Sequence, residues 1–187
     1  MKVSAKEIPL VALFTALTAL GAFITIPIGE VPITLQSLFV LLSGLILGPK
    51  LGALSQILYI VLGLIGVPIF ANLSGGFQYI VKPSFGFLMG FIFAAYVTGK
   101  IAHSEGEVSA IKIWIGSLMG TLVIYLFGIP YMYYILNLIM AKNLSFTAVL
   151  NMGCILFLPG DTLKWIFTSL IATKIIPLLK RVGLSIN

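Results

Sequence analysis

Along its whole length the chain alternates long apolar runs with short breaks marked by polar residues, glycine or proline. Apolar length and this punctuation predict six helices, at about residues 8–27, 34–48, 51–67, 84–103, 109–128 and 160–180. A helix needs about 20 residues to cross about 30 Å of hydrocarbon at 1.5 Å per residue, so these runs are expected to span a membrane. The second and third are short and are joined tightly by GPKLG, residues 48–52. Pro130 is expected to break a fifth run that would otherwise reach residue 141. The opening MKVSAKEIPLVALFTALTALGAF also has the makeup of a signal peptide, but further spans follow at once, so it is read as the first helix.

Composition supports this picture. Of 187 residues, 60% are hydrophobic and 9% charged, and the mean hydropathy is +1.17. The expectation is an all-α integral membrane protein forming one membrane domain over residues 1–187, because the longest polar stretch, KIAHSEGEVSAIK, is too short for a soluble domain. The net charge of +6 does not imply a nucleic-acid partner. The basic residues stand singly between apolar runs and form no stripe with interleaved aromatics. They read instead as topology signals: Lys2, Lys6, Lys50, Lys100, Lys112, Lys174, Lys180 and Arg181 fall on one side of the spans, Lys82 and Lys142 on the other. Both termini are therefore expected to be cytoplasmic. Cys154 is the only cysteine, so no disulfide framework forms within the chain.

With that topology three segments lie outside: IGEVPIT, VPIFANLSGGFQYIVKPS, and the section from about 129 to 159. The last two are apolar for loops. Irregular backbone at membrane depth persists only where it packs on protein or lines a cavity, so these loops are expected to fold over the helix ends and close a pocket. Small residues recur four apart in GLILG (44–48), GPKLG (48–52), GFLMG (86–90), GSLMG (116–120) and ALFTA (12–16). Such spacing lets helices approach closely in lipid. The glycine pairs are read as internal packing, whereas for Ala12 and Ala16 an internal and an external partner both remain open.

The sharpest chemical signal is FLPGDTLKWIF, residues 157–167, which sets Asp161 and Lys164 on one helix face near the outer end of the last span. Asp161 alone could be an N-cap. Lys164 argues against that simple reading, because a cation in the first turn opposes the helix dipole and an ion in a span is costly to bury. The pair is therefore read as the polar end of an apolar binding site. A carboxylate accepts N–H groups and an ammonium donates to an oxygen, so the ligand should be small and largely apolar, with amide-like N–H groups and an oxygen acceptor. Thr34, Gln36, Gln78, Tyr79, Ser84 and Asn151 lie at the same level; singly, each is more simply a cap or turn residue. Gly75 and Gly76 more simply serve the backbone, and Phe77 and Trp165 could form apolar walls.

His103, the only histidine, sits among glutamates in a cytoplasmic loop and reads as solvated. No catalytic set and no G-x-x-x-x-G-K-[ST] phosphate loop is found, so the chain is not read as an enzyme, and active uptake would need another chain or an ion gradient. No metal site and no cofactor is expected.

The stretches VPITLQSLFVLLSGLILGPKLGALSQILYIVLGLIGVPIFANLSGG and LPGDTLK resemble the BioY family, the biotin-specific substrate-binding (S) components of energy-coupling factor (ECF) vitamin transporters. The likeness covers about residues 8–180. Before the fourth span the family's G-P-[ST]-G-G-Y reads KPSFGF here, departing at Lys82, Phe85 and Phe87. The resemblance implies a six-helix S-component fold in the plasma membrane, with biotin bound near the outer surface under the first, third and fifth loops. It implies as partners a transmembrane coupling subunit and two cytoplasmic ATPases, with Ala12 and Ala16 matching the family's A-x-x-x-A contact on helix one. It further implies that Asp161 accepts from the ureido nitrogens and that Lys164 donates to a ligand oxygen. Gln36, Tyr79, Ser84 and Asn151 come next as candidate contacts, followed by Thr34, Gly75, Gly76, Phe77 and Gln78. The alternative is a stand-alone ion-coupled carrier, for which two-fold internal repeats would be expected. A membrane enzyme is the third reading.

Overall fold

The computed structural model describes residues 4–104 and 108–181, apart from the side chain of Lys180. Lys2 of the topology count and the Glu105 and Glu107 neighbours of His103 lie outside the described residues. The main elements are α1 (Glu7–Phe23), the short strands β1 (Thr25–Ile26) and β2 (Ile33–Thr34), α2 (Gln36–Leu64), α3 (Phe85–Ala102), α4 (Ala110–Tyr134), α5 (Phe146–Leu150) and α6 (Leu158–Arg181). Among the described residues four helical stretches are long and apolar enough to cross a bilayer: Gln36–Leu64, Phe85–Ala102, Ala110–Ile139 and Phe146–Leu179. The α1 helix is shorter but also apolar.

The α2 helix is a hairpin of two arms, residues 36–47 and 49–64, and it carries the second and third runs of the sequence pattern. Gly48 has φ +78° and ψ 178°, which a side chain would resist, and Pro49 begins the second arm where its missing N–H is not needed. The arms lie antiparallel. Gln36 Nε2 donates to the Tyr59 hydroxyl at 2.8 Å near one end, and Gln56 Nε2 to the Ser43 hydroxyl at 3.2 Å further down. Close approach explains the glycines: a Cβ on Gly52 would lie 2.8 Å from the Gly44 Cα, and one on Gly44 would run into the Ala95 carbonyl of α3. Gly86, Gly90, Gly116 and Gly120 likewise face α3–α4 contacts, as the spacing implies.

His103 departs from its solvated reading. It is half-buried at the end of α3, and its Nε2 lies 2.8 Å from the carbonyl of Leu45. In an unbroken helix that carbonyl would accept from residue 49, but proline has no N–H, so His103 serves as the replacement donor. Leaving a buried carbonyl unpaired costs about 1–3 kcal/mol. His103→Ala is accordingly expected to lower unfolding free energy in detergent by about that much, with His103→Gln recovering part. Equal denaturation midpoints for wild type and His103→Ala would show that the bond adds nothing.

Pro130 does not break its run. The α4 helix continues through it to Tyr134 and then by a π-helical turn to Ile139. Proline removes the bond to the Leu126 carbonyl, but both residues face outward, and α3 packs on either side of the gap, Gly90 against Ile124 and Gly86 against Tyr131. The section 129–159, expected to be loop, is therefore mostly helical: α5 follows, then a π turn at Asn151–Ile155, then α6. Of the expected loops, the first carries the β1–β2 pair and the other holds short 3₁₀ turns at Ala71–Leu73 and Phe77–Val81.

Buried apolar side chains form two clusters. One, built on Phe70, Phe87, Phe91, Met132 and Leu136, fills the end where the loops gather. The other, around Phe14, Leu45, Leu51 and Ile176, fills the hairpin end. Between them a polar group (Thr15, Thr18, Ser43, Ser55, Gln56) ties α1 to the α2 hairpin through hydrogen bonds. Ala12 and Ala16 lie on the opposite, exposed face of α1. ALFTA therefore packs against no other described helix of this chain through Ala12 and Ala16 and presents them outward.

Candidate ligand-binding site

The loop end of the bundle contains a cavity whose space, counted out through its open mouth, is about 540 Å³. Six parts of the chain shape it. The β1–β2 connection contributes Val31, Pro32 and Thr34, the start of α2 contributes Gln36 and Ser37, and the third loop adds Ala71, Tyr79 and Ser84. From α3 come Phe87, Leu88 and Phe91; from α4, Ile124 and Tyr125; from the chain entering α6, Phe157, Asp161 and Lys164.

The charged pair sits on the inner face of α6. The Asp161 N–H donates to the Phe157 carbonyl at 2.8 Å, so the residue lies within regular helix and its carboxylate is not used as an N-cap. That carboxylate instead forms an ion pair with Lys164 and accepts a hydrogen bond from the Tyr125 hydroxyl of α4. Lys164 is 8% exposed and also donates to the Thr34 carbonyl at 3.0 Å. From there a chain of bonds crosses the site: Thr34 Oγ1 to Gln36 Oε1 at 2.9 Å, Gln36 Nε2 to the Tyr59 hydroxyl at 2.8 Å, and that hydroxyl to the Ile69 carbonyl at 2.9 Å. Four separate segments are thereby held in one geometry.

On the third-loop side, the Phe70 ring lies between Tyr59 and Tyr79, with centroids 5.5 and 4.5 Å away, and rests on Gly63, where a Cβ would overlap it. Ser84 Oγ donates to the Tyr79 hydroxyl at 3.1 Å. Burial pushes that phenol above its usual range, with the Ser84 and Ser74 hydroxyls pulling partly back, so it stays protonated at physiological pH. Lys82 lies over the outer face of the Tyr79 ring, 4.8 Å from its centroid, and Phe85 packs against Tyr131. Phe87 is the one departure from the KPSFGF comparison that reaches the cavity wall. Lys142 pairs with Glu30, joining the fifth connection to the first.

The structure thus brings Asp161, Lys164, Gln36, Tyr79, Ser84 and Thr34 together, but it places five other candidates outside the wall. Asn151 is exposed, in the π turn, and Phe77 is 74% exposed. Gln78 turns back to the Gly75 carbonyl at 2.7 Å, which serves the turn. Gly75 fits against the Val67 carbonyl, and Gly76 takes φ +98° to start the second 3₁₀ turn, so both act through the backbone. Trp165 is not an apolar wall either: its Nε1 donates to the Trp114 carbonyl at 3.1 Å and its ring meets Trp114 edge-on, fastening α6 to α4.

Tyr125 was missed by sequence reasoning. Its signal is a hydroxyl among apolar neighbours in LVIYLFGIP. The residue orients Asp161, so Tyr125→Phe is expected to weaken ligand binding about tenfold, and to have no further effect once Asp161 is already asparagine. Independent, additive losses in that double-mutant cycle would remove this role.

Chemically, two carboxylate oxygens offer about four acceptor sites, of which Lys164 and Tyr125 use two; the ammonium has three protons, two of them engaged within the protein. The site can therefore accept about two N–H groups and donate one N–H beside an apolar, aromatic wall. Among the described residues no cluster of three or more His, Cys, Asp or Glu side chains is placed to hold a metal ion.

Comparison with known proteins places the chain among relatives along nearly its whole length. The profile of the BioY family matches residues 1–181. A probable biotin transporter BioY of Pyrococcus horikoshii is 41% identical over 171 residues, covering 91% of this chain and 96% of the relative. The biotin transporter BioY of Thermotoga maritima is 36% identical over 165 residues, covering 87% and 91%. Among solved structures, the S-component for biotin from an ECF-type ABC transporter superposes with a TM-score of 0.69 at 28% identity, covering 93% of this chain and 94% of that one.

Proposed function

Because this chain belongs to the BioY family, we propose that it is the biotin-capturing subunit of an ECF-type vitamin uptake transporter. The observation that carries the reading is the Asp161–Lys164 pair, buried at the polar end of an aromatic cavity. Biotin matches what that end leaves unused: its ureido ring has two N–H donors for the carboxylate and one carbonyl, and its tail ends in a carboxylate. The remaining proton of Lys164 donates to one of those oxygens. The thioether ring lies against Phe87, Phe91 and Phe157, while Gln36, Tyr79, Ser84 and Thr34 hold the polar frame in place.

The chain sits in the plasma membrane with six crossings, formed by α1, the two arms of α2, α3, α4 and α6. At 1.5 Å per residue the α2 arms are shorter than about 30 Å of hydrocarbon, which lets the loop end of the bundle dip into the outer leaflet. Lys6, Lys50, Lys100, Lys112, Lys174 and Arg181 belong to the end opposite the cavity, which supports cytoplasmic termini and a cavity facing outward. Energy comes from partners: a transmembrane coupling subunit, met by the exposed Ala12 and Ala16 face, and two ATPases. Titration of the purified chain with biotin tests the function. Saturable one-site binding, without ATP and independent of sodium or a proton gradient, is expected; no binding, or binding only with a coupling ion, would reject it.

A further inference from the structure

Two ion pairs account for four of the five charged residues at the loop end of the bundle: Asp161 with Lys164 in the cavity wall, and Glu30 with Lys142 between the first and fifth connections. The fifth is Lys82, which follows the second 3₁₀ turn and is exposed. Among the described residues no carboxylate pairs with it. Its partner is instead the ring of Tyr79, whose centroid lies 4.8 Å from the Lys82 Nζ.

The backbone carries this cation beside the cavity. The Lys82 N–H donates to the Tyr79 carbonyl at 3.0 Å, closing the turn, and the chain runs on through Pro83 to Ser84, the residue before α3. Tyr79 and Ser84 both line the cavity, so Lys82 stands between two wall residues with its ammonium one aromatic ring away from the interior. A cation–π contact uses the face of the ring and none of the ammonium's N–H groups, so three donors remain for an anion. The inner end offers an anion much less. Lys164 already neutralises Asp161 and gives a further proton to the Thr34 carbonyl. A ligand carboxylate taken there would set two buried negative charges against one ammonium, which is strongly unfavourable. A carboxylate is better placed where it keeps part of its water and meets a cation of its own.

We infer that Lys82 is a specificity-determining residue that holds the tail carboxylate of the ligand, at the opposite end of that molecule from the ureido ring. The inference rests on the biotin reading above and deepens it. With the carboxylate on Lys82, the remaining proton of Lys164 belongs to the ureido carbonyl. The two ends of the ligand are then read by different means, the ring by a buried ion pair and the tail by an exposed cation. An exposed charge contributes modestly and is screened by salt.

The test is a titration of wild type, Lys82→Gln and Lys82→Arg with biotin and with biotin amide, whose tail is uncharged, at low and at high ionic strength. At low ionic strength Lys82→Gln is expected to weaken biotin binding about fivefold and to leave binding of the amide unchanged, while Lys82→Arg keeps wild-type affinity for both. The difference between wild type and Lys82→Gln for biotin should shrink as salt is raised. Equal biotin affinity in wild type and Lys82→Gln overturns the inference. So does an equal loss for biotin and the amide, which would show that support of the Tyr79 ring was removed and not a contact to the tail. Either of those results leaves the biotin reading standing; a wild type that fails to bind biotin overturns both.

Discussion

Asp161→Asn is expected to weaken biotin binding by at least about a hundredfold. The substitution keeps the shape of the side chain but halves its acceptor capacity and puts an N–H where a ureido N–H must point. It also leaves Lys164, almost fully buried, without its counter-charge. Removing one member of a buried ion pair costs about 3–5 kcal/mol, whereas replacing both by neutral groups of similar volume is often close to neutral for stability. That asymmetry separates binding from folding. Asp161→Asn should bind poorly and melt early; Asp161→Asn with Lys164→Met should melt near the wild-type temperature and still bind poorly. A double variant that regains both stability and biotin affinity would show the pair to be structural.

Replacing Ala12 or Ala16 with tryptophan should act in the opposite way. Both residues lie on the exposed face of α1, so their side chains have few contacts within the chain to lose. Close helix approach depends on small side chains, and a large ring there holds a partner helix away. Biotin titration of either variant is expected to match wild type, while biotin uptake by cells falls to background and the coupling subunit and ATPases no longer co-purify. Normal uptake by both variants would place the partner contact elsewhere.

These outcomes bear on what could be read from the chain itself. The apolar helices were legible because covering hydrocarbon takes consecutive apolar residues, and four described stretches are long and apolar enough for it; the glycine spacing was legible because close helix approach demands it. Asp161 and Lys164 stood out because ions in an apolar run are expensive. Position in space was harder to read. Gln36 and Tyr79 were found by level along the chain, but the same criterion selected Asn151, Phe77 and Gln78, which are exposed and do not line the cavity; level does not fix direction. The helical nature of 129–159 was hidden because Pro130 is a breaker in isolation, and only packing on α3 overrides it. His103 was hidden for a related reason: its role depends on Pro49, 54 positions away in the chain, leaving the Leu45 carbonyl without a donor. Tyr125 carries an ordinary local signal, and its pairing with Asp161 arises only when α4 and α6 meet.

The central claim is that the charged pair on α6 grips biotin inside this cavity. The most direct measurement is mass spectrometry of small molecules extracted from the protein purified out of biotin-containing medium, wild type beside Asp161→Asn with Lys164→Met. Near-stoichiometric biotin from the wild type and almost none from the equally folded double variant is the expected result. Equal amounts from both, or none from the wild type, would contradict it.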